Sequence, residues 1–81
     1  MTVVVKLFAR ARDLAGVSEL SLSLAEGATV ADLRRVLAVE RPALAGLLTR
    51  SAIALDNDFA SETTTIRDGA EVALLPPVSG G

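Results

Sequence analysis

Two strand-like segments near the start of the chain, joined by a short connection, limit its possible folds more than any other feature. Residues 2–8 (TVVVKLF) are rich in β-branched and aromatic side chains, and residues 19–24 (ELSLSL) alternate apolar with polar ones. Both patterns predict strands. Between them, residues 10–15 predict a short helix that Gly16 ends. A connection this short favours an antiparallel pair with one buried face.

A longer helix is predicted directly after this pair. Thr29 stands three residues before Asp32, which is the spacing of a capping box at a helix N-terminus. Apolar residues then recur with helical periodicity as far as Glu40, and Pro42 limits the helix there. Residues 43–48 predict a further helical turn.

The second half of the chain contains two more predicted strands. Residues 51–55 and 71–75 have strand-like composition, whereas residues 59–65 between them are polar and predicted to be irregular after Phe59. Pro76 and Pro77 should end the last strand, because proline lacks the N–H group that sheet pairing needs.

The order of these elements predicts an α+β fold of the β-grasp, or ubiquitin-like, class. We expect a mixed sheet of four or five strands, one main helix and one short helix. Residues 1–75 would form the β-grasp domain, and residues 76–81 an extended, flexible C-terminal tail. The main rival is a ferredoxin-like βαββαβ fold. That fold needs a full second helix before the last strand, for which TTTIRDGA is a poor candidate.

The residue types that the chain lacks exclude most side-chain chemistry. It contains no Cys, His, Tyr or Trp. Without Cys there is no disulfide or thiolate metal site, and without His the commonest general base is missing. A net charge of −2 argues against nucleic acid. The sequence shows neither an apolar run long enough to span a membrane nor a signal-peptide layout, so we expect a cytoplasmic protein with no nucleic-acid or membrane partner.

A few charged side chains are candidates for a site, and each has a plainer structural explanation. Asp58 and Glu62 suit a metal or an acid–base pair, but such residues are typical of turns and nothing completes the site, so no metal site is predicted. Arg10 and Arg12 suit either an acidic partner surface or a solvated helix face. Lys6 is expected to face outward from a half-exposed strand rather than to be a buried amine.

Three apolar residues are candidates for contact with a partner. Phe59 either fills the core beneath the irregular segment or stands out as an interface anchor, and both interpretations stay open. Leu75, beside the prolines, raises the same question. A partner-binding face built from Phe59, Leu75 and Phe8 is the resulting hypothesis.

The ending LPPVSGG carries the main functional hypothesis. The prolines stiffen the exit from the last strand, Val78 and Ser79 extend it, and Gly80 and Gly81 have no Cβ to obstruct a narrow channel. The six residues from Pro76 onward reach about 20 Å when extended. ATP can adenylate a carboxylate delivered in this way; a sulfur nucleophile then gives a thiocarboxylate, and an amine gives an amide. The carboxylate of Gly81 is therefore the predicted reactive group.

Both ends of the chain resemble the family of molybdopterin synthase small subunits, which are ubiquitin-like sulfur carriers. The ending DGAEVALLPPVSGG is similar to that family's DGDEV-x-x-x-PPV-x-GG. The segment VKLFARARDLAG is similar to its strand and short helix, F-A-x-x-R-E-L-x-G. The helix opening at Thr29 and Val30 also fits, and the resemblance spans essentially the whole chain.

The resemblance implies that an E1-like adenylyltransferase activates Gly81 at the expense of ATP, and that a cysteine desulfurase or rhodanese supplies the sulfur. It implies that the tail enters the large subunit of molybdopterin synthase, within a heterotetramer. There it would donate sulfur to cyclic pyranopterin monophosphate (precursor Z) to form the dithiolene of molybdopterin. The carrier would bind no cofactor, and the catalytic side chains would belong to its partners. The position before the prolines is aromatic in some members of the family and is Leu75 here.

Three other functions stay open. The chain resembles carriers of other sulfur pathways, which serve thiamine, tRNA thiolation or cysteine synthesis. A second alternative is a ubiquitin-like modifier that is conjugated to lysines. A third is a β-grasp interaction module with an inert tail. The short helix at residues 10–15 and the PPV ending favour the molybdopterin carrier over the thiamine carrier. Carrier and modifier cannot be separated by sequence, because both need an activated Gly-Gly end.

Overall fold

A computed structural model describes residues 1–77 of the chain; residues 78–81 lie outside the described part. The element bounds differ from the predicted ones by no more than one residue at any end, apart from one added strand. No helix in residues 1–77 has the length and apolar character needed to cross a membrane. In chain order the elements are β1 (Thr2–Leu7), α1 (Ala9–Ala15), β2 (Glu19–Ser23), α2 (Val30–Glu40), a 3-10 turn (Pro42–Leu44), α3 (Ala45–Leu48), β3 (Ala52–Leu55), β4 (Asp58–Phe59) and β5 (Glu71–Leu75).

The five strands form one mixed sheet in the order β2-β1-β5-β3-β4. β1 and β5 are parallel, and the other neighbouring strands are antiparallel. The segment from residue 60 to residue 70 contains no helix, so the ferredoxin-like alternative is wrong. A mixed sheet with one main helix is the predicted β-grasp architecture.

One hydrophobic core lies between the sheet and α2. Alternate residues of the central strands point toward it, which is why β1 and β5 each show every second side chain buried. α2 contributes a stripe of apolar residues from one face. The largest fully buried side chains are those of Leu7, Leu33, Leu37, Leu44, Ile53, Ile66, Leu74, Val3, Val5, Val30 and Val72.

α2 begins with the predicted capping box. The backbone N–H of Asp32 donates to Thr29 Oγ1 over 3.3 Å, and the backbone N–H of Thr29 donates to Asp32 Oδ2 over 2.9 Å. The hydrogen bond from the Thr29 backbone lowers the pKa of the Asp32 carboxyl from its usual 3.8, with further contributions from the Thr29 hydroxyl and the Arg35 guanidinium. The capping interaction is therefore formed by the ionised carboxylate.

This capping box predicts a dependence of stability on pH. Because the pKa of Asp32 is lowered in the folded chain, its stabilisation is present above the unfolded value of 3.8 and is lost as the pH falls through the lower folded value. The Asp32→Asn variant, which keeps an acceptor oxygen, should lose less stability than the wild type between neutral pH and acid. Urea unfolding at both pH values measures this. Asp68→Asn, in an exposed turn, is the control; equal acid sensitivity of the wild type and Asp32→Asn would contradict the expectation.

The strand β4 was not predicted, whereas the segment after Phe59 is irregular as expected. Asp56 and Asn57 both have positive φ angles, 49° and 76°. Asx residues tolerate this region, and two such residues in succession make the tight turn of a β-hairpin. β3 and β4 consequently pair, with Ala54 opposite Phe59. Asp56 also accepts a 3.0 Å hydrogen bond from the backbone N–H of Glu71, which ties the hairpin to β5.

Arg34 joins α2 to two other parts of the chain. Its Nε lies 2.9 Å from the carboxylate of Glu62 in the loop before β5. Its Nη1 donates to the backbone carbonyl of Ser51, over 2.8 Å, and to that of Leu48 at the end of α3. The side chain is only 21% exposed. It is a donor to the Ser51 carbonyl, whereas the Leu48 carbonyl also accepts a 3.3 Å hydrogen bond from the backbone N–H of Ser51.

We expect Arg34→Ala to destabilise the fold by about 1–3 kcal/mol, because it removes the side-chain donor to the Ser51 carbonyl and one of two donors to the Leu48 carbonyl, both in a partly buried region. Arg35→Ala should cost much less, because Arg35 is exposed and pairs only with Asp32 on the same helix. The measurement is the free energy of unfolding in urea for the two variants. If they lost equal stability, Arg34 would be no more than another surface charge.

Candidate functional site

The root of the predicted tail is the end of the central strand of the sheet. β5 lies between β1 and β3, and its last paired residue is Leu75, opposite Ala52. Pro76 is half-buried and Pro77 is exposed, and neither belongs to a strand. Sheet pairing therefore ends where the prolines predicted it would, at a strand that is held on both sides.

The other predicted tail residues, Val78, Ser79, Gly80 and Gly81, lie outside the described residues. The role of the Gly81 carboxylate thus stays a prediction. The structure shows where the last strand ends: at Leu75, on the edge where the parallel strands β1 and β5 both finish.

The face of the sheet that α2 leaves uncovered carries the predicted partner residues. Strand register places Lys6, Ala73, Ala54 and Phe59 in one row across this face, since Lys6 is opposite Ala73, Ala73 opposite Ala54, and Ala54 opposite Phe59. Phe59 is 77% exposed. Its interpretation as a core residue is therefore wrong, and the interpretation as an interface anchor is the one that its exposure favours.

Leu75 and Phe8 lie on the same side of the sheet. Leu75 is two residues after Ala73 on β5, so strand alternation places both on the uncovered face, where Leu75 is half-buried. Phe8 follows β1 in extended conformation, two residues after Lys6, and is 43% exposed. We call the surface made by Phe59, Ala73, Leu75 and Phe8 the open face.

The small residues of the open face were not identified from the sequence. Ala73 and Ala52 are half-buried on this face, whereas Ala54, between Ala73 and Phe59, is buried. The signal was the alternation in AIAL and EVALL, where alanines alternate with core residues. β3 and β5 each have a neighbouring strand on either side. Small side chains on the uncovered face of such strands let the backbone of another protein approach closely.

Charged residues border the open face. Lys6 faces outward as predicted, and its Nζ lies 3.1 Å from a carboxylate oxygen of Glu71. Glu62, the suggested partner of Asp58, instead pairs with Arg34. Within residues 1–77, no three Asp or Glu side chains come close enough together to hold a metal ion. The apolar surface and the tail root are therefore the features of the described chain that suit a binding function.

Comparison with known proteins agrees with this geometry. The model of the ThiS family matches residues 5–81. The molybdopterin synthase sulfur carrier subunit of Chlamydomonas reinhardtii is 35% identical over 83 aligned positions, which cover 100% of both chains.

Two solved structures are similar over their whole length. SAMP1 of Haloferax volcanii, a small archaeal modifier protein, superposes with a TM-score of 0.89 at 28% identity, covering 100% of both chains. A chain in the complex of subunits 1 and 2 of the molybdopterin-converting factor of Helicobacter pylori superposes with a TM-score of 0.72 at 29% identity, also covering 100% of both. The family match and the full-length relatives together show that this chain belongs to the ThiS family.

Proposed function

We propose that the chain is the sulfur carrier subunit of a molybdopterin synthase and that it carries sulfur on Gly81. The observation that carries the proposal is its end-to-end similarity, at 35% identity, to a sulfur carrier subunit of that enzyme. The ending LPPVSGG agrees with it, because a carrier of this kind needs a slim, extended C-terminal carboxylate.

The chemistry takes place on the main chain. The Gly81 carboxylate attacks the α-phosphorus of ATP, pyrophosphate leaves, and an acyl-adenylate remains. The terminal sulfur of a donor persulfide then attacks the acyl carbon, AMP leaves, and an acyl disulfide joins the chain to the donor. A thiol attacks the donor's sulfur in that S–S bond, which releases the thiocarboxylate and leaves the donor as a disulfide with the thiol. A chain with no Cys can carry sulfur in this way. An E1-like adenylyltransferase would supply the first step, and a cysteine desulfurase or a rhodanese the sulfur.

The fold would present this group to its partners. β5 holds the tail root, and Pro76 and Pro77 direct the chain away from the sheet. The large subunit of molybdopterin synthase would dock on the open face through Phe59, Leu75 and Phe8, in a heterotetramer of two small and two large subunits. Similarity to a chain crystallised with a second subunit supports this partner. The tail then reaches a precursor, cyclic pyranopterin monophosphate, that receives the sulfur.

Intact mass measurement tests the proposal. The chain is incubated with ATP, the activating enzyme of its own genome and a sulfur donor, and the C-terminal peptide is examined for replacement of one oxygen by sulfur. The large subunit and the precursor are then added, and molybdopterin is measured. A carboxylate that stays free with an active activating enzyme would overturn the sulfur-carrier function.

Conjugation to other proteins is a second candidate function. It is favoured by the similarity to SAMP1, a modifier protein, over the full length of both chains. Here a lysine amine would attack the same acyl-adenylate, forming an amide and releasing AMP. Peptides in which a lysine carries the chain's C-terminal glycines would support this function. Thiocarboxylate without any such conjugate in cells would count against it.

A further inference from the structure

A groove that the sulfur chemistry does not use lies beside the tail root. Its volume is about 820 Å³. Because both prolines line it, it adjoins the exit of the tail. Its lining includes Arg10 and Asp13 from α1, Leu47 from α3, Arg50 just after α3, and Pro76 and Pro77 after β5.

The groove holds two arginines that have no partner in the described part of the chain. Neither Arg10 nor Arg50 is among the residues that form salt bridges within residues 1–77, and both are exposed. Asp13 also lines the groove without pairing with either of them. Two arginines from different elements therefore line one concave surface of a chain whose net charge is −2.

We infer that this groove binds an acidic segment of the protein that receives the tail. The inference rests on the proposed function, because that function requires a partner to enclose the tail. A protein that closes around the tail as far as Pro76 and Pro77 necessarily covers the groove that these prolines line. Covering Arg10 and Arg50 without providing carboxylates would cost free energy, since each would lose water and gain nothing.

Arginine chemistry favours a carboxylate-bearing occupant over an apolar one. The planar guanidinium group binds a carboxylate through two parallel hydrogen bonds, which gives orientation as well as attraction. The attraction between opposite charges also speeds the encounter of two proteins. The groove would thus align the tail root with the mouth of the partner's channel while the open face supplies most of the contact area.

Asp13 provides a test of the sign of the occupant's charge. A carboxylate at this position repels an acidic segment, so removing its charge should strengthen binding, whereas removing Arg10 or Arg50 should weaken it. A basic occupant would give the opposite pattern. An apolar occupant would respond little to any of the three changes. Comparing the Asp13 variant with the arginine variants therefore distinguishes an acidic, a basic and an apolar occupant of the groove.

The experiment measures association of the full chain with the purified large subunit of molybdopterin synthase from the same genome. Rates are compared at about 0.1 M and about 1 M salt, where the Debye length is about 10 Å and about 3 Å. The Arg10→Ala/Arg50→Ala double variant should associate about 5-fold more slowly at low salt, and the difference should shrink at high salt. Asp13→Asn should associate about 2-fold faster at low salt.

Arg35→Ala is the matched control, because Arg35 is exposed and does not line this groove. It should change the rate far less than the double variant. Urea unfolding midpoints close to the wild-type value would show that each variant is folded. If the double variant does not fold, the single variants Arg10→Ala and Arg50→Ala are measured in its place.

The outcomes separate the two proposals. Binding of the wild type, with the double variant indistinguishable from Arg35→Ala at both salt concentrations, overturns the groove and leaves the sulfur-carrier function standing. Weaker binding by both Asp13→Asn and the arginine variants also overturns the acidic occupant. Failure of the wild-type chain to bind the large subunit, together with a free carboxylate in the mass measurement, overturns the proposed function itself.

Discussion

Deletion of Gly81 should abolish sulfur transfer to the precursor and leave the fold unchanged. The shortened chain still ends in a glycine carboxylate, but that carboxylate is drawn back by about 3.3–3.6 Å, the length of one extended residue. Reactions that depend on close positioning lose about 100-fold in rate for a displacement of about 1 Å. A displacement several times larger should therefore remove detectable transfer, although a carboxylate is still present.

Stability should not change with this deletion. The last sheet pairing joins Leu75 to Ala52, and Gly81 lies six positions farther along the chain. We expect the free energy of unfolding to stay within about 0.5 kcal/mol of the wild-type value, as for surface changes that touch no core or capping residue. Adding one residue after Gly81 should block activation equally. The terminal carboxylate then belongs to the added residue and lies one residue beyond the position that the activating enzyme accepts.

The measurements are the mass of the C-terminal peptide after activation and the yield of molybdopterin with the large subunit and precursor. Ser79→Ala, which keeps the length of the tail and both glycines, is the matched control and should stay active. Normal transfer by the shortened chain would contradict the assignment of Gly81 as the reacting residue. A large loss of stability would instead show that the chain end belongs to the fold.

The parts of this fold that the sequence predicts are those encoded by neighbouring residues. The capping box joins Thr29 to Asp32 within a single turn, so its signal is independent of the rest of the chain. Gly16 ends α1 with a φ angle of 77°, a conformation that costs little only for a residue without a Cβ. Proline chemistry in the same way predicted the end of β5. Each of these signals is local and carries its own physical cause.

The features that sequence reasoning missed are either too short to show a pattern or depend on residues that are distant along the chain. β4 has only two residues, too few for an alternation pattern, and it exists because the Asp56–Asn57 turn brings Phe59 opposite Ala54. Arg34 reaches carbonyl groups 14 and 17 positions away. No periodicity encodes such contacts, because they form only once α2 lies across the sheet.

The same limit applies to the candidate site. Phe59, Leu75 and Phe8 could be proposed as one surface from their apolar character, but the alanines between them could not, since alanine is as common in cores as on surfaces. Register decides the matter, because it places Ala54 and Ala73 on the face opposite to Ile53 and Leu74. The role of the tail ending stays a prediction, which rests on a Gly-Gly terminus after two prolines.

Truncation of Phe59 should weaken binding to the large subunit of molybdopterin synthase by about 30-fold or more. An aromatic side chain at the centre of an interface commonly contributes about 2 kcal/mol or more, which corresponds to that factor in Kd. Phe59 is 77% exposed in the described chain, so nothing in the core depends on it. Phe59→Ala should accordingly fold as the wild type does, and the loss should appear in the dissociation rate.

Val39→Ala is the matched control for this prediction. Val39 is 75% exposed, close to the value for Phe59, but it belongs to α2, which covers the opposite face of the sheet. Calorimetric titration of both variants against the large subunit distinguishes a specific docking face from a general effect of removing exposed apolar area. Equal affinities for the two variants would contradict docking on the open face. A selective loss of affinity with Phe59→Ala would place the partner on the open face. The end of β5 could then deliver the tail while the partner stays bound to this face.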